Sequence, residues 1–159
     1  MIVFGHGSPD ARLMFVGEGP GKDEDLQGKP FVGRAGKLLT KLLGALDIRR
    51  EDIFITNIVK CRPPSNRLPL PNESSTCIKL LDAQLKIIRP DVVCALGSCA
   101  AKTLLEKEIK ITKERGKIFK RGTTTIIPTL HPAYILRNPK EMDKIFQDIQ
   151  AAHKLIQNK

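Results

Sequence analysis

The chain has 159 residues, of which 41% are hydrophobic and 28% are charged. This balance is typical of a globular domain and excludes a disordered chain. No apolar run approaches the ~20 residues that a membrane-spanning helix needs. We therefore expect a single domain over residues 1–159, in a monomeric cytoplasmic protein with no membrane partner.

The net charge of +10 at pH 7 is the first functional indication. An excess of Lys and Arg attracts polyanions such as nucleic acids, although a lysine-rich surface equally serves solubility. Aromatic residues are scarce, with one Tyr and no Trp, which disfavours a broad base-stacking platform for single strands.

The first half of the chain reads as strand, loop, helix and strand. Residues 12–16 are an apolar run that predicts a buried strand, and the glycine-rich residues 17–21 predict a turn-forming loop. Leucines recur at helical spacing over residues 35–46, and the β-branched and aromatic residues 52–59 predict a second strand. Residues 62–71 hold four of the eleven prolines, which predicts a stiff loop.

The alternation continues in the second half. Residues 72–75 offer N-cap side chains for a helix that ends at Pro90. Residues 91–96 predict a third strand, followed by a helix over residues 98–106. Two glycines interrupt the basic residues 109–123, which predict short strands around turns.

The end of the chain completes the pattern. Residues 124–129 predict a fourth strand that leads into His131, and Asn138 with Pro139 opens the last helix as cap and first helical residue. Strands that alternate with helices predict an α/β fold, a three-layer α/β/α sandwich around a central four-stranded parallel sheet.

Ligands of such sheets bind outside the carboxyl ends of the strands. This rule selects the loop after Val16, Asn57, the turn at Gly97 and the loop at His131. The glycine loop alone is a weak signal, because it lacks both the Lys-Ser/Thr ending of a phosphate-binding loop and the dinucleotide fingerprint. A tight turn explains it as well as a nucleotide site does.

Three longer motifs, the first of them in two parts, are together far more specific. Residues 17–25 read GEGPGKDED and are followed by KPFVGRAGKLL at 29–39; residues 56–64 read TNIVKCRPP, and residues 131–138 read HPAYILRN. From about Val3 to the final helix, the chain closely resembles the family-four uracil-DNA glycosylases. The resemblance implies a monofunctional enzyme of base excision repair that flips uracil out of DNA, excises it by hydrolysis and leaves an abasic site.

The resemblance also implies a role for individual residues. Phe31 stacks on the flipped uracil, Asn57 reads its edge, and His131 donates a hydrogen bond to uracil O2 as negative charge grows there. The amides of the loop at Gly17 and Gly19 assist. The alternatives are a core Phe31 packed under the loop and an Asn57 that only ties a loop down.

The carboxylate that positions the attacking water is open between Glu18 and Glu24. The residue that carries this carboxylate in the best-known branch of the superfamily corresponds to Gly19. Alternatively, Glu18 braces the loop and Glu24 caps the following helix. The motifs place no lysine for a Schiff base in the pocket, so strand cleavage is not expected.

Further residues are assigned to DNA contacts. Leu136 and Arg137 are expected to enter the minor groove and fill the gap left by the flipped base. Phosphate contacts are expected from basic residues, for each of which a solvated surface charge is an equally good interpretation: Arg62, Arg67, Lys117, Lys120 and Arg121.

The family usually carries a [4Fe-4S] cluster on four cysteines, and here the resemblance is incomplete. Cys61 and Cys77 match the third and fourth ligands, but the N-terminal C-x-x-C pair is missing. Cys94 and Cys99 do not match family ligands. Two thiolates cannot complete a Cys₄ site, so we expect no cluster and no cofactor in the chemistry, unless the chain is truncated.

A second class of function is a catalytically weak or inactive homologue that binds uracil or abasic sites in DNA. The presence of Phe31, Asn57 and His131 argues against it. An enzyme that binds a nucleotide phosphate on the glycine loop is remote, because the Lys-Ser/Thr ending is missing.

Overall fold

The structure is a computed structural model that describes residues 2–62 and 70–157, without the side chains of residues 73–76. The described residues form one six-stranded sheet in the order β1-β3-β2-β4-β6-β5. The strands are β1 (His6–Gly7), β2 (Leu13–Gly17), β3 (Phe54–Asn57), β4 (Val92–Leu96), β5 (Phe119–Arg121) and β6 (Thr124–Thr129).

The four central strands, β3, β2, β4 and β6, are parallel, as predicted. The sheet nevertheless has six strands rather than four, because β1 pairs antiparallel with β3 and β5 pairs antiparallel with β6. Strand β1 has two residues, which is too short for an alternating apolar pattern to reveal. The three-residue β5 lies within residues 109–123, where short strands were predicted.

Helices cover both faces of the sheet. They are α1 (Lys22–Gln27), α2 (Arg34–Ala45), α3 (Pro71–Ile88), α4 (Ser98–Leu105), α5 (Ile111–Glu114), α6 (Pro132–Arg137) and α7 (Met142–Gln157). Short 3₁₀ turns at Arg50–Asp52 and Pro139–Glu141 precede β3 and α7. Within the described part of the chain, no helix has both the length and the apolar composition to cross a membrane.

Alternate residues of each strand point to opposite faces and enter two cores. Leu13 and Phe15 pack with apolar residues of α2, α6 and α7, whereas Met14 and Val16 pack with those of α3 and α4. All four side chains are fully buried. The predicted three-layer α/β/α arrangement is therefore confirmed.

Three local predictions were wrong. The helix after the proline-rich loop begins at Pro71, before the predicted cap, because proline is well suited to the first helical turn. Residues Ile111–Glu114 form a helical turn rather than a strand. After Asn138, Pro139 opens a 3₁₀ turn, and α7 follows only from Met142.

Candidate functional site

A cavity of about 200 Å³ lies at the carboxyl edge of the parallel strands. It is smaller than the ~300–1,000 Å³ typical of sites for drug-sized ligands, which suits a single planar base. Three of the four strand-end positions predicted to share a site meet here: the glycine loop, Asn57 and His131. The fourth, Gly97, is not in the lining but lies against His131. The lining residues are Gly19, Gly21, Glu24, Phe31, Ala35, Gly36, Asn57, His131 and Ala133.

Asn57 ends β3 and is 2% exposed. Among the described residues, its Oδ1 is the one buried side-chain oxygen or nitrogen without a hydrogen-bond partner. An unpaired buried polar atom costs about 1–3 kcal/mol, so such an atom at a cavity wall indicates a ligand that donates to it. A Cβ at Gly17 would lie 2.6 Å from this oxygen, which explains why the neighbouring strand ends in glycine.

His131 follows β6 and caps α6. Its Nδ1 accepts a hydrogen bond from the Ala133 amide at 3.0 Å, which leaves the proton of the neutral ring on Nε2. The pKa of His131 is lowered to about 4, mainly by burial and also by nearby Arg137, while Glu24 opposes the shift. At neutral pH the cavity therefore faces an uncharged imidazole that donates through Nε2.

Phe31 forms one wall of the cavity and is 5% exposed. Its ring stacks against that of His131, with centroids 5.7 Å apart and planes inclined by 30°. The φ of Phe31 is 52°, a left-handed conformation that is uncommon for a bulky side chain. Gly36 makes this turn feasible, because a Cβ there would overlap the Phe31 carbonyl.

Glu24 ties the glycine loop to the Phe31 loop. Its Oε1 accepts from the Gly21 amide at 3.0 Å, and its Oε2 accepts from the Val32 and Gly33 amides at 2.8 and 2.6 Å. Both carboxylate oxygens are thus engaged. The alternative reading of Glu24, a residue that caps α1, agrees with the first of these bonds.

Arg50 holds the other side of the Phe31 turn, a role that the sequence did not reveal. Its Nη1 donates to the Phe31 carbonyl at 2.6 Å and its Nη2 to the Pro30 carbonyl at 2.9 Å. Nη1 also donates to Thr40 Oγ1 at 2.9 Å. One guanidinium therefore fixes two consecutive carbonyls beneath the stacking ring.

The model of the uracil DNA glycosylase superfamily matches residues 4–151. The chain belongs to this superfamily. It is 51% identical to a type-4 uracil-DNA glycosylase from Thermotoga maritima over 98% of this chain and 83% of that relative. It is 43% identical to the type-4 enzyme from Archaeoglobus fulgidus over 93% of this chain and 78% of that relative.

A type-5 uracil-DNA glycosylase from Thermus thermophilus is more distant. The identity is 33% over 65% of this chain and 53% of that relative. The higher identity and wider coverage place this superfamily member nearer the type-4 relatives, in agreement with the resemblance drawn from the motifs.

Glu18 stands beside the cavity rather than in its wall. It is partly buried, and burial raises the pKa of its carboxyl group. In the described residues no hydrogen bond or ion pair engages this carboxylate, in contrast to that of Glu24. Of the two candidates for positioning water, Glu18 is the one with free oxygens.

The residues expected to contact DNA lie in two different places in the fold, and only some of them are near the cavity. Leu136 and Arg137 lie at the end of α6, one short helix beyond His131. Lys117 is exposed and follows Gly116, whose amide bonds to the Pro128 carbonyl near the carboxyl end of β6. Arg62 is partly buried in the loop after β3. These residues lie on the side of the cavity.

Lys120 and Arg121 lie elsewhere. They pair with Thr125 and Thr124 at the amino end of β6, roughly 13–17 Å of strand away from Thr129. Arg121 also forms an ion pair with Asp82 at 2.8 Å. The structure does not bring these two to the cavity, and Arg67 falls outside the described residues.

The two cysteines matched to cluster ligands do not complete a metal site. Cys61 is exposed, Cys77 is partly buried, and both are free thiols. Across residues 2–62 and 70–157, no group of three or more Cys, His, Asp or Glu side chains is placed to hold a metal. The donor set does not fit a Cys₄ cluster, and the expectation that no cluster is bound stays a prediction.

Two side chains that bond to residues of the cavity wall were not predicted from the sequence: Arg50 donates to the Phe31 carbonyl and Lys60 to the Asn57 carbonyl. Arg50 stands beside another arginine and Lys60 lies inside a quoted motif, but each looks like an ordinary surface charge in the sequence. Only the contacts that they make across the fold distinguish them. Gly36, by contrast, lies in the segment KPFVGRAGKLL at residues 29–39, which is one of those that carry the family resemblance.

Proposed function

We propose that this chain is a uracil-DNA glycosylase that hydrolyses the bond between uracil and deoxyribose in DNA and leaves an abasic site. Relatives with this name match nearly the whole chain. The observation that carries the proposal is the unpaired, buried Oδ1 of Asn57 in a base-sized cavity that a neutral His131 also lines.

The first step is capture of a flipped nucleotide. A base inside a duplex is out of reach, so it must rotate into the cavity. There, Phe31 stacks on its face. Asn57 Oδ1 accepts from uracil N3–H while Nδ2 donates to O4. Cytosine has an acceptor at N3 and an amino group at position 4, so it leaves both groups of Asn57 mismatched.

The second step breaks the glycosidic bond. The bonding electron pair of the N1–C1′ bond leaves with uracil, which becomes an anion, and positive charge develops on the sugar. His131 donates from Nε2–H to uracil O2, where negative charge grows, in the manner of an oxyanion hole. The neutral imidazole suits this role because it donates a hydrogen bond without needing to lose its proton.

Water then adds to C1′ and loses a proton, which gives the abasic sugar; uracil takes up a proton in turn. Glu18 is the carboxylate proposed to orient this water, because Glu24 is occupied by three amides. No lysine lines the described cavity, which supports a monofunctional reaction without strand cleavage. We also propose that the enzyme acts on DNA as a monomer in the cytoplasm.

The experiment uses a labelled duplex with a single uracil and a matched duplex with thymine at that position. Free uracil is expected from the first duplex only, with strand scission after alkali treatment and intact strands before it. Asn57→Asp and His131→Ala are expected to abolish most release. Tight binding to the uracil duplex without base release, unchanged in both variants, would instead identify a DNA-binding homologue.

A further inference from the structure

Lys60 is a buried cation directly behind the uracil-reading residue. It lies three residues after Asn57 and is 1% exposed. Its Nζ donates to the Asn57 carbonyl at 2.6 Å, to Thr56 Oγ1 at 2.7 Å and to Gln84 Oε1 at 2.8 Å. The three donors of the ammonium group are thus matched by three neutral oxygens.

None of these partners is a carboxylate, and the described residues form no ion pair with Lys60. Burying a charge that no carboxylate neutralises is costly. Burial lowers the pKa of Lys60 to about 8, with Cys77 on α3 opposing the shift. The group therefore stays mainly protonated at neutral pH, and the fold retains a positive charge at this place.

Lys60 places a positive charge near the site where the proposed reaction creates a negative charge. Asn57 separates Lys60 from the cavity, since its carbonyl binds Nζ and Asn57 itself lines the cavity. Uracil departs as an anion. In a dry interior a fixed cation acts on such a charge far more strongly than it would in water.

We propose that Lys60 is a positioning residue that holds Asn57 against the base and, through its charge, favours departure of the uracil anion. The inference rests on the proposed function. Lys60 does not touch the base; it acts from behind Asn57. Its amino group is fully engaged in hydrogen bonds, so it does not serve as a nucleophile.

The test compares two leaving groups in the same DNA sequence, uracil and 5-fluorouracil. The electronegative fluorine stabilises the departing anion, so 5-fluorouracil depends less on help from the protein. For Lys60→Met we expect a single-turnover rate with uracil that falls about tenfold, below the ~100-fold loss seen when a direct oxyanion donor is removed. With 5-fluorouracil the loss is expected to be several-fold smaller.

Gln84→Glu provides a second variant that keeps the acceptor at Lys60 and places a negative charge beside it, while it loses the bond from Gln84 Nε2 to the Phe4 carbonyl. The same selective loss with uracil is expected, although the hydrogen bonds that position Asn57 remain. This variant also carries the test if Lys60→Met fails to fold. Lys79→Met is the matched control, because it removes an exposed charge from α3, the helix that carries Gln84. Both rates are expected to be unchanged in this variant.

Equal losses on both bases in Lys60→Met and Gln84→Glu would overturn the electrostatic role and leave a purely structural lysine. Unchanged rates in Gln84→Glu would overturn it as well. A wild-type protein that releases neither base would refute the proposed function itself, and the inference with it. The two failures are therefore distinguishable.

Discussion

Arg50 donates a 2.6 Å hydrogen bond to the main-chain carbonyl of Phe31, a residue held at a φ of 52°. A bulky residue in this left-handed region costs roughly 1–3 kcal/mol and persists only where its surroundings enforce it. The guanidinium supplies part of that enforcement from a 3₁₀ turn that lies 19 residues further along the chain. The stacking wall of the cavity therefore depends on a residue outside it.

Arg50→Gln is expected to raise the KM for uracil-containing DNA about three- to tenfold, with a smaller change in kcat. A hydrogen bond from a charged donor contributes roughly 1.5–3 kcal/mol, and only part of this reaches the base through the Phe31 ring. Steady-state kinetics measure the effect. Arg49→Gln is the control, because Arg49 pairs with Asp52 on the surface of the same turn.

Combining Arg50→Gln with Phe31→Ala tests whether Arg50 acts through the ring. If it does, the double variant has nearly the KM of Phe31→Ala alone. Independent, multiplicative effects on KM would contradict this role and leave Arg50 as a general support of the loop.

Asn57→Asp is expected to lower kcat/KM for uracil excision by about 10- to 100-fold. The carboxylate still accepts from N3–H but no longer donates to O4, and each unsatisfied group costs about 1–3 kcal/mol. Single-turnover kinetics at pH 7 check the change. Activity equal to that of the wild type would refute the assignment of Asn57 as the residue that reads the base.

The neutral state of His131 predicts a pH profile without a limb near the ordinary histidine pKa of 6.5. Because its pKa is lowered to about 4 in the fold, its protonation does not reduce kcat between pH 5.5 and 7.5. His131→Gln serves as a comparison, since it retains a donor that does not titrate. A limb near pH 6.5 that vanishes in His131→Gln would contradict the assignment.

The same shift predicts how stability depends on pH. A group with a depressed pKa binds fewer protons in the folded state, so the free energy of unfolding falls as the pH drops from about 6.5 to about 4. The contribution of His131 is at most about 3 kcal/mol. Urea unfolding of the wild type and of His131→Gln at pH 7 and pH 4.5 isolates it, and an equal pH effect in both proteins would argue against it.

Substitution by alanine is expected to change the stability of the protein in opposite directions at two glycines of α2. Gly36→Ala is expected to lower both stability and activity, because its Cβ would overlap the Phe31 carbonyl. Gly44→Ala is expected to raise the free energy of unfolding by roughly 0.5–1 kcal/mol, because a helical Gly is less favourable than Ala and the added Cβ meets no atom within 4 Å. Thermal unfolding and the uracil-release assay compare them, and a Gly36→Ala protein as active as the wild type would contradict the packing of this turn.

The salt dependence of DNA affinity distinguishes basic residues that contact DNA from those that do not. Each phosphate contact adds about 0.9 to the slope of log affinity against log salt. Arg137→Gln is therefore expected to reduce that slope by about one, whereas Arg121→Gln, at the amino end of β6, is expected to leave it unchanged. Fluorescence anisotropy with labelled DNA measures both slopes, and a change in Arg121→Gln alone would reverse the assignment of the DNA-facing side.

The sequence predicted the place of Asn57 and His131 because Asn57 lies near the end of one predicted strand and His131 follows another, and parallel strands end at one edge of a sheet. It predicted the central strands and the three layers from the alternation of strands with helices. Arg50 and Lys60 were not predictable, because their roles depend on which carbonyls and side chains the folded chain brings to them. The edge strand β1 was missed because backbone pairing alone defines it, whereas β5 lies within residues 109–123, where short strands were predicted.

Glu24 and Arg50 hold the Phe31 turn in place, and this has a consequence for how the protein selects bases in DNA. A cavity that is already formed before a nucleotide flips out does not adapt its shape to the base. We therefore expect a base that does not fit the cavity to be released without excision, with no rearrangement of the protein needed to reject it.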